Sequence, residues 1–103
     1  MKIKLVFLLI LNFIVFNQTF SEEMFNLGKE VFLNKGNCAT CHSLKDAGSV
    51  ANVGPNLNEI RPDIGRVMNS VTNGIGVMPA MLGILSDKEI KAVAYYVSEA
   101  SIN

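Results

Sequence analysis

This 103-residue chain predicts an all-α domain, three or more helices joined by long loops, and three observations carry that expectation. Apolar residues recur at helical spacing in three separate stretches, and no stretch alternates apolar with polar residues as a half-buried strand would. The connecting segments are rich in glycine and longer than simple connections need. No internal repeat or low-complexity tract interrupts the pattern.

The first 21 residues stand apart. Lys2 and Lys4 lead into the apolar run 5-LVFLLILNFIVF-16, after which the chain turns polar, with small residues at Thr19 and Ser21. A charged start, an apolar centre and small residues one and three places before a cut form the layout of an export signal. Cleavage is expected after Ser21. The alternative, an uncleaved membrane anchor, is disfavoured because the run is short and contains Asn12, whereas a spanning helix needs about 20 apolar residues. No cysteine lies near the cut, so a lipid anchor is not expected. The domain proper is then residues 22–103, one small unit with no room for a second.

Within it, residues 23–34 place Met24, Leu27 and Val31, with Phe25 and Phe32, at helical spacing, and the helix is expected to stop near 36-GN-37. Gly28 inside that helix costs about 1 kcal/mol against alanine, so a close approach by another element is the expected reason. From 43 to 60 the chain reads as loop, with Gly54-Pro55 as a turn signal. A second helix is expected from Pro62, carrying Ile64, Val67, Met68 and Val71 on one face and closing at Gly74. The stretch 74-GIGVMPAMLGIL-85 is neither a good helix nor a strand. The last helix is the most strongly signalled. Ser86 and Glu89 form a capping box, Leu85 and Ile90 form a hydrophobic staple, and Ile90, Val93, Ala94 and Val97 repeat at helical spacing.

Seven basic and nine acidic residues are scattered through 22–103, a net charge of −2 without blocks of one sign. That pattern excludes a basic nucleic-acid face and a basic membrane-binding face. A domain this short buries little surface and usually needs an internal support, and two cysteines supply at most one disulfide.

Both cysteines and the sole histidine fall within 38-CATCH-42. Four uses compete. A thioredoxin-like dithiol needs a strand-helix-strand setting, which is not visible. A zinc site needs four ligands, and no partner motif exists elsewhere. A plain disulfide, which an oxidising compartment would favour, leaves the loops and glycines without a purpose. Covalent haem attachment through C-x-x-C-H fits best. Residues i and i+3 of a helical turn share a face, so Cys38 and Cys41 can reach one porphyrin edge while His42 faces the iron. The buried porphyrin also supplies the internal support.

With one histidine, bis-histidine ligation is excluded, and methionine sulfur becomes the candidate for the opposite axial position. Met1 leaves with the leader, while Met24 and Met68 fall on helices as packing residues. Met78 and Met81 remain. Met78 is preferred, since the glycines around it let the backbone lie against a haem face. If neither binds, the iron stays open and a ligand sensor or peroxidase becomes the reading.

Along nearly its whole length the domain resembles a small class I cytochrome c: the first helix with Gly28 and Phe32, CATCH at 38–42, GPNL at 54–57, NGIGVMPAM at 73–81 and KAVAYYV at 91–97. The resemblance implies the class I cytochrome c fold wrapped around one covalently bound haem c. It implies thioethers at Cys38 and Cys41, His42 and Met78 as iron ligands, and the Pro55 carbonyl accepting the Nδ1 proton of His42. It also implies that Gly28 and Phe32 cross the last helix near Tyr96. The connector 33-LNKGN-37 is slightly longer than in many relatives, so a bulge is expected there.

The function expected is that of a periplasmic monohaem carrier of single electrons, a monomer and not an enzyme, which meets its redox protein partners transiently. Membrane contact is expected only through a partner complex or an uncleaved signal. The rival is a cytochrome subunit of an exported dehydrogenase or sulfur-oxidising complex. The exported protein should begin at Glu22; N-terminal sequencing that finds residues 1–21 still attached contradicts the cleaved leader.

Overall fold

Two helices crossing at a glycine organise the chain. The computed structural model describes residues 19–103; the charged start and apolar run of the expected leader lie outside the described residues. Of the described residues helix α1 covers 19–33, so it already includes the four residues before the expected start. No glycine or proline lies between Thr19 and Glu23 to stop it. Its far end comes where the sequence places it, followed by a turn through Asn34 and Lys35.

The inner face of α1 carries Val31 and Phe32, both buried, with Phe25 and Leu27 packed against the same core. Helix α4, Asp87–Ala100, lies across it. A Cβ on Gly28 would overlap the Ala92 carbonyl and stand 2.5 Å from Tyr96 Cβ, so only glycine lets the backbones meet. Tyr96 then receives Phe25 and Phe32 edge-on, with ring centroids 4.9 and 5.7 Å away. Burying a side chain such as Phe32 contributes on the order of 2–3 kcal/mol.

The Tyr96 hydroxyl donates to Asp46 Oδ2 at 2.7 Å, and Lys29 Nζ reaches the same oxygen at 3.3 Å. Among the described residues no buried side-chain nitrogen or oxygen lacks a partner.

Helix α4 starts as expected. Ser86 Oγ accepts the Glu89 N–H at 3.1 Å while Glu89 Oε1 accepts the Ser86 N–H at 2.9 Å. Leu85 and Ile90, the two staple residues, are both buried. Helix α3, Ile64–Asn73, packs on α4 and buries Val67 and Val71. Its start corrects the sequence expectation: Asp63 is the N-cap, accepting the Arg66 N–H at 2.8 Å, and Pro62 lies outside the helix. A capping carboxylate satisfies one of the free N–H groups of the first turn, which proline at that position would not. Gly74 closes α3 with φ 75°, as expected.

Two features of the 43–60 segment depart from the loop expected there. Ser43–Leu44 pairs antiparallel with Ser49–Val50 as β1 and β2, in the register Ser43 with Val50 and Leu44 with Ser49. A 3₁₀ turn at Lys45–Ala47 and Gly48 joins them. Strands of two residues are too short to show alternation in sequence. The other is α2, a single turn at Leu57–Ile60 capped by Asn56. Among the described residues the fold is therefore mainly helical, with four helices and one small ribbon.

Replacing Gly28 with valine should lower the unfolding free energy by at least about 3 kcal/mol, since the overlap is with backbone that cannot rotate away; denaturant titration measures this. Tyr96 ionisation is pushed upward by burial first and then by its bond to Asp46. In the unfolded chain the phenol ionises near pH 10. Its contribution to stability is therefore whole below about pH 10 and declines as pH rises toward the folded value. The alkaline decline in stability should be shallower in Tyr96→Phe.

Candidate haem site

The residues Cys38, Cys41 and His42 are brought together by a single turn. Asn37 takes the left-handed conformation, φ 55°, and starts a 3₁₀ turn over Cys38–Thr40, with its side-chain oxygen accepting from Thr40 Oγ1 at 2.6 Å. Asparagine tolerates that backbone better than most residues. The N–H groups of Cys41 and His42 both return to the Cys38 carbonyl, at 3.2 and 2.9 Å. Both thiols are free, half-exposed and three positions apart on that turn.

Burial raises the Cys38 thiol to about 11, a backbone hydrogen bond acting against it and Cys41 adding to the rise. A reactive dithiol needs the opposite shift, toward a thiolate at neutral pH, so thioredoxin-like exchange does not fit here. Among the described residues no group of three or more His, Cys, Asp or Glu side chains could hold a metal ion, which removes the zinc alternative for them.

The 54-GPNL-57 segment serves the turn with a different atom from each residue. The Gly54 N–H donates to the Cys41 carbonyl at 2.7 Å. The Pro55 carbonyl lies 2.8 Å from His42 Nδ1. Asn56 caps α2, its Oδ1 accepting the Asn58 N–H at 2.9 Å, and Leu57 enters the core. Gly54 is also sterically required, since a Cβ there would stand 2.6 Å from His42 Cε1 and 2.9 Å from Nδ1. A carbonyl can only accept, so the neutral imidazole carries its proton on Nδ1. Nε2 keeps its lone pair and has no hydrogen bond among the described residues.

This donor set fits a haem c: two free thiols sharing one turn, followed by an imidazole nitrogen whose tautomer and ring plane are held from behind.

The two methionine candidates differ in setting. Met81 is 9 % exposed within the core, its N–H bonded to the Val71 carbonyl at 2.8 Å. Met78 lies at the edge of the core, on a tight turn where its N–H and carbonyl bond those of Ile75 at 2.9 and 3.1 Å. Gly74 is packed under that turn, with room for no Cβ beside the Met78 carbonyl. Met68 is half-buried against the core and lines a shallow groove with Leu82 and Ile90, away from the cysteine turn in sequence. Asn37, Gly54 and Asn56 build the site, whereas the sequence marked them only as a helix stop, a turn signal and part of the GPNL stretch.

The connector 33-LNKGN-37 turns back on the end of α1. Gly36 N–H returns to the Val31 carbonyl at 2.7 Å, and Asn37 N–H to that of Asn34 at 3.1 Å. It also sends Lys35 to Glu89, with Nζ 2.8 Å from Oε1.

Residues 23–97 match the family model described as cytochrome c oxidase, cbb3-type, subunit III. Cytochrome c6 of Diacronema lutheri is 39 % identical over 75 residues, covering 68 % of this chain and 88 % of that protein. Cytochrome c6 of Leptolyngbya boryana is 37 % identical over 76 residues, covering 68 % and 85 %. The crystal structure of the c-type cytochrome SorU from Sinorhizobium meliloti superposes with a TM-score of 0.74 at 54 % identity, over 78 % of this chain and 93 % of that one. A match over residues 23–97 and a shared fold make this chain a member of the small class I cytochrome c family, and with that an electron-carrying protein whose cofactor is haem c.

Proposed function

We propose that the protein is a periplasmic monohaem carrier of single electrons, exported behind residues 1–21 and mature from about Glu22. It acts as a monomer without enzymatic activity of its own. The observation that carries this reading is the His42 imidazole, held through Nδ1 on the Pro55 carbonyl and directly following two free thiols on one turn. When bound, haem c supplies a one-electron Fe(III)/Fe(II) couple.

In this reading Cys38 and Cys41 hold the cofactor through two thioether bonds. His42 presents Nε2 to the iron while Pro55 retains the proton on Nδ1, which keeps the ring oriented and raises its basicity as a ligand. Met78 offers its sulfur from the opposite side. The 74–85 segment that carries it is tied at its start by the Gly74 N–H to the Ser70 carbonyl and at its end by buried Leu85. Met81 is committed to the core, which supports Met78 as the sulfur ligand. Were His42 and Met78 both to hold the iron, no position on it would remain for a substrate, which favours carrier over catalyst. Partner contacts are expected to be weak and transient, in keeping with exposed charges of both signs.

A pyridine haemochrome assay should find one covalent c-type haem per chain, and its absence would overturn the reading. Met78→Ala should abolish the weak red-end Met–Fe(III) absorption band and lower the reduction potential. Met81→Ala should keep the band while losing roughly 3 kcal/mol of stability, as a buried methionine does when truncated. The reverse outcome would transfer the ligand role to Met81.

A further inference from the structure

The proposed ligands lie on two segments far apart in sequence, the 37–42 turn and the 74–85 stretch, and one side-chain contact joins their flanks directly. Lys35 leaves the connector three residues before Cys38, and a Cβ on the neighbouring Gly36 would lie 3.2 Å from Cys38 Sγ. Its ammonium bonds Glu89 Oε1 at 2.8 Å, across 54 positions of sequence. That oxygen also accepts the Ser86 N–H at 2.9 Å, closing the capping box. Ser86 directly follows the 74–85 stretch, whose last two residues, Ile84 and Leu85, donate to the Met81 carbonyl at 3.0 and 2.9 Å.

That stretch is held chiefly at its ends and by buried Met81. It contains no charged residue, Gly74, Gly76 and Gly83 adopt positive φ, and Ile75, Val77, Leu82 and Ile84 are largely exposed. Segments with few buried contacts open locally at low cost, so one extra tie at an end alters how often they open. We infer that Lys35 is a positioning residue which, through Glu89 and Ser86, clasps the methionine-bearing 74–85 segment to the cysteine turn. The clasp gives the 33-LNKGN-37 connector a purpose and rests on the proposed haem reading. Consistent with it, the hydrogen bond from Lys35, and after it that from the Ser86 backbone, hold the Glu89 carboxyl below its usual range.

The test is the limiting rate at which cyanide binds the ferric holoprotein at low ionic strength, since cyanide enters only when the sulfur ligand and its segment swing away. Lys35 is largely exposed, so the effect is that of a surface pair: Lys35→Met should raise the rate roughly two- to fivefold, and Lys35→Arg should restore it. Glu89→Gln keeps the capping acceptor but loses the charge, and should match Lys35→Met; the double variant should add nothing further. At about 0.5 M KCl the wild type should approach the variants, because salt screens an exposed pair. A merely structural surface contact would leave the cyanide rate unchanged at low salt, and that result overturns the clasp. Amide exchange at Met81, Ile84 and Leu85 reads the same clasp independently of the iron ligand: faster exchange in Lys35→Met supports it, and unchanged exchange overturns it. If the wild-type holoprotein lacks the red-end band, the Met78 assignment fails, and these amides alone decide for or against the clasp.

Discussion

Everything in this fold is arranged around the contact of two helix backbones at Gly28. Because no Cβ stands between them, α1 and α4 approach until Gly28 meets the Ala92 carbonyl, and the Tyr96 ring falls between Phe25 and Phe32. That contact fixes how α1 lies on α4, and the cysteine turn follows directly from the end of α1. The Tyr96 hydroxyl extends the same constraint to Asp46, four residues beyond His42, so the far side of the turn is tied to the crossing as well. A small domain with a modest core gains from this economy, since one tight contact positions several segments at once.

The chemistry at the turn is produced mostly by backbone atoms. The Cys38 carbonyl gathers two N–H groups, the Gly54 N–H satisfies the Cys41 carbonyl, and the Pro55 carbonyl decides which nitrogen of His42 carries the proton. Backbone donors and acceptors do not change identity with side-chain substitution. Such a site constrains sequence chiefly where a side chain would intrude, at Gly54 against the imidazole and at Gly74 beneath Met78. The two glycines serve one end, close approach, on opposite sides of the proposed haem position.

Between these sides the molecule is held unevenly. The cysteine turn is laced by short hydrogen bonds and flanked by the buried Leu44 and Leu57. The methionine-bearing stretch depends on its ends and on Met81, with apolar side chains facing outward between. A rigid proximal side and a more lightly tied distal side is the natural outcome when one ligand sits on a hydrogen-bonded turn and its proposed counterpart on a glycine-rich strap.

Much of this was legible in the chain itself. Helical periodicity marked α1, α3 and α4; the capping box at Ser86 and Glu89 came out as written, with Leu85 and Ile90 both buried beside it, because such a signal acts within one turn and needs no distant partner. Cys38, Cys41 and His42 announced their chemistry by adjacency, for the same reason. Helical periodicity did not give the finer choices, some made within a single turn and one by a neighbour far along the chain. Asp63 rather than Pro62 caps α3, a two-residue ribbon forms at 43–50, Asn37 turns left-handed, and Lys35 reaches Glu89. The sequence by itself determined the three longer helices and singled out the residues proposed to carry the chemistry, since both follow from local spacing. Only the tertiary structure decided that Met81 belongs to the core while Met78 lies at its edge, and how a glycine brings two helices together, because burial and close approach are properties of the packed whole.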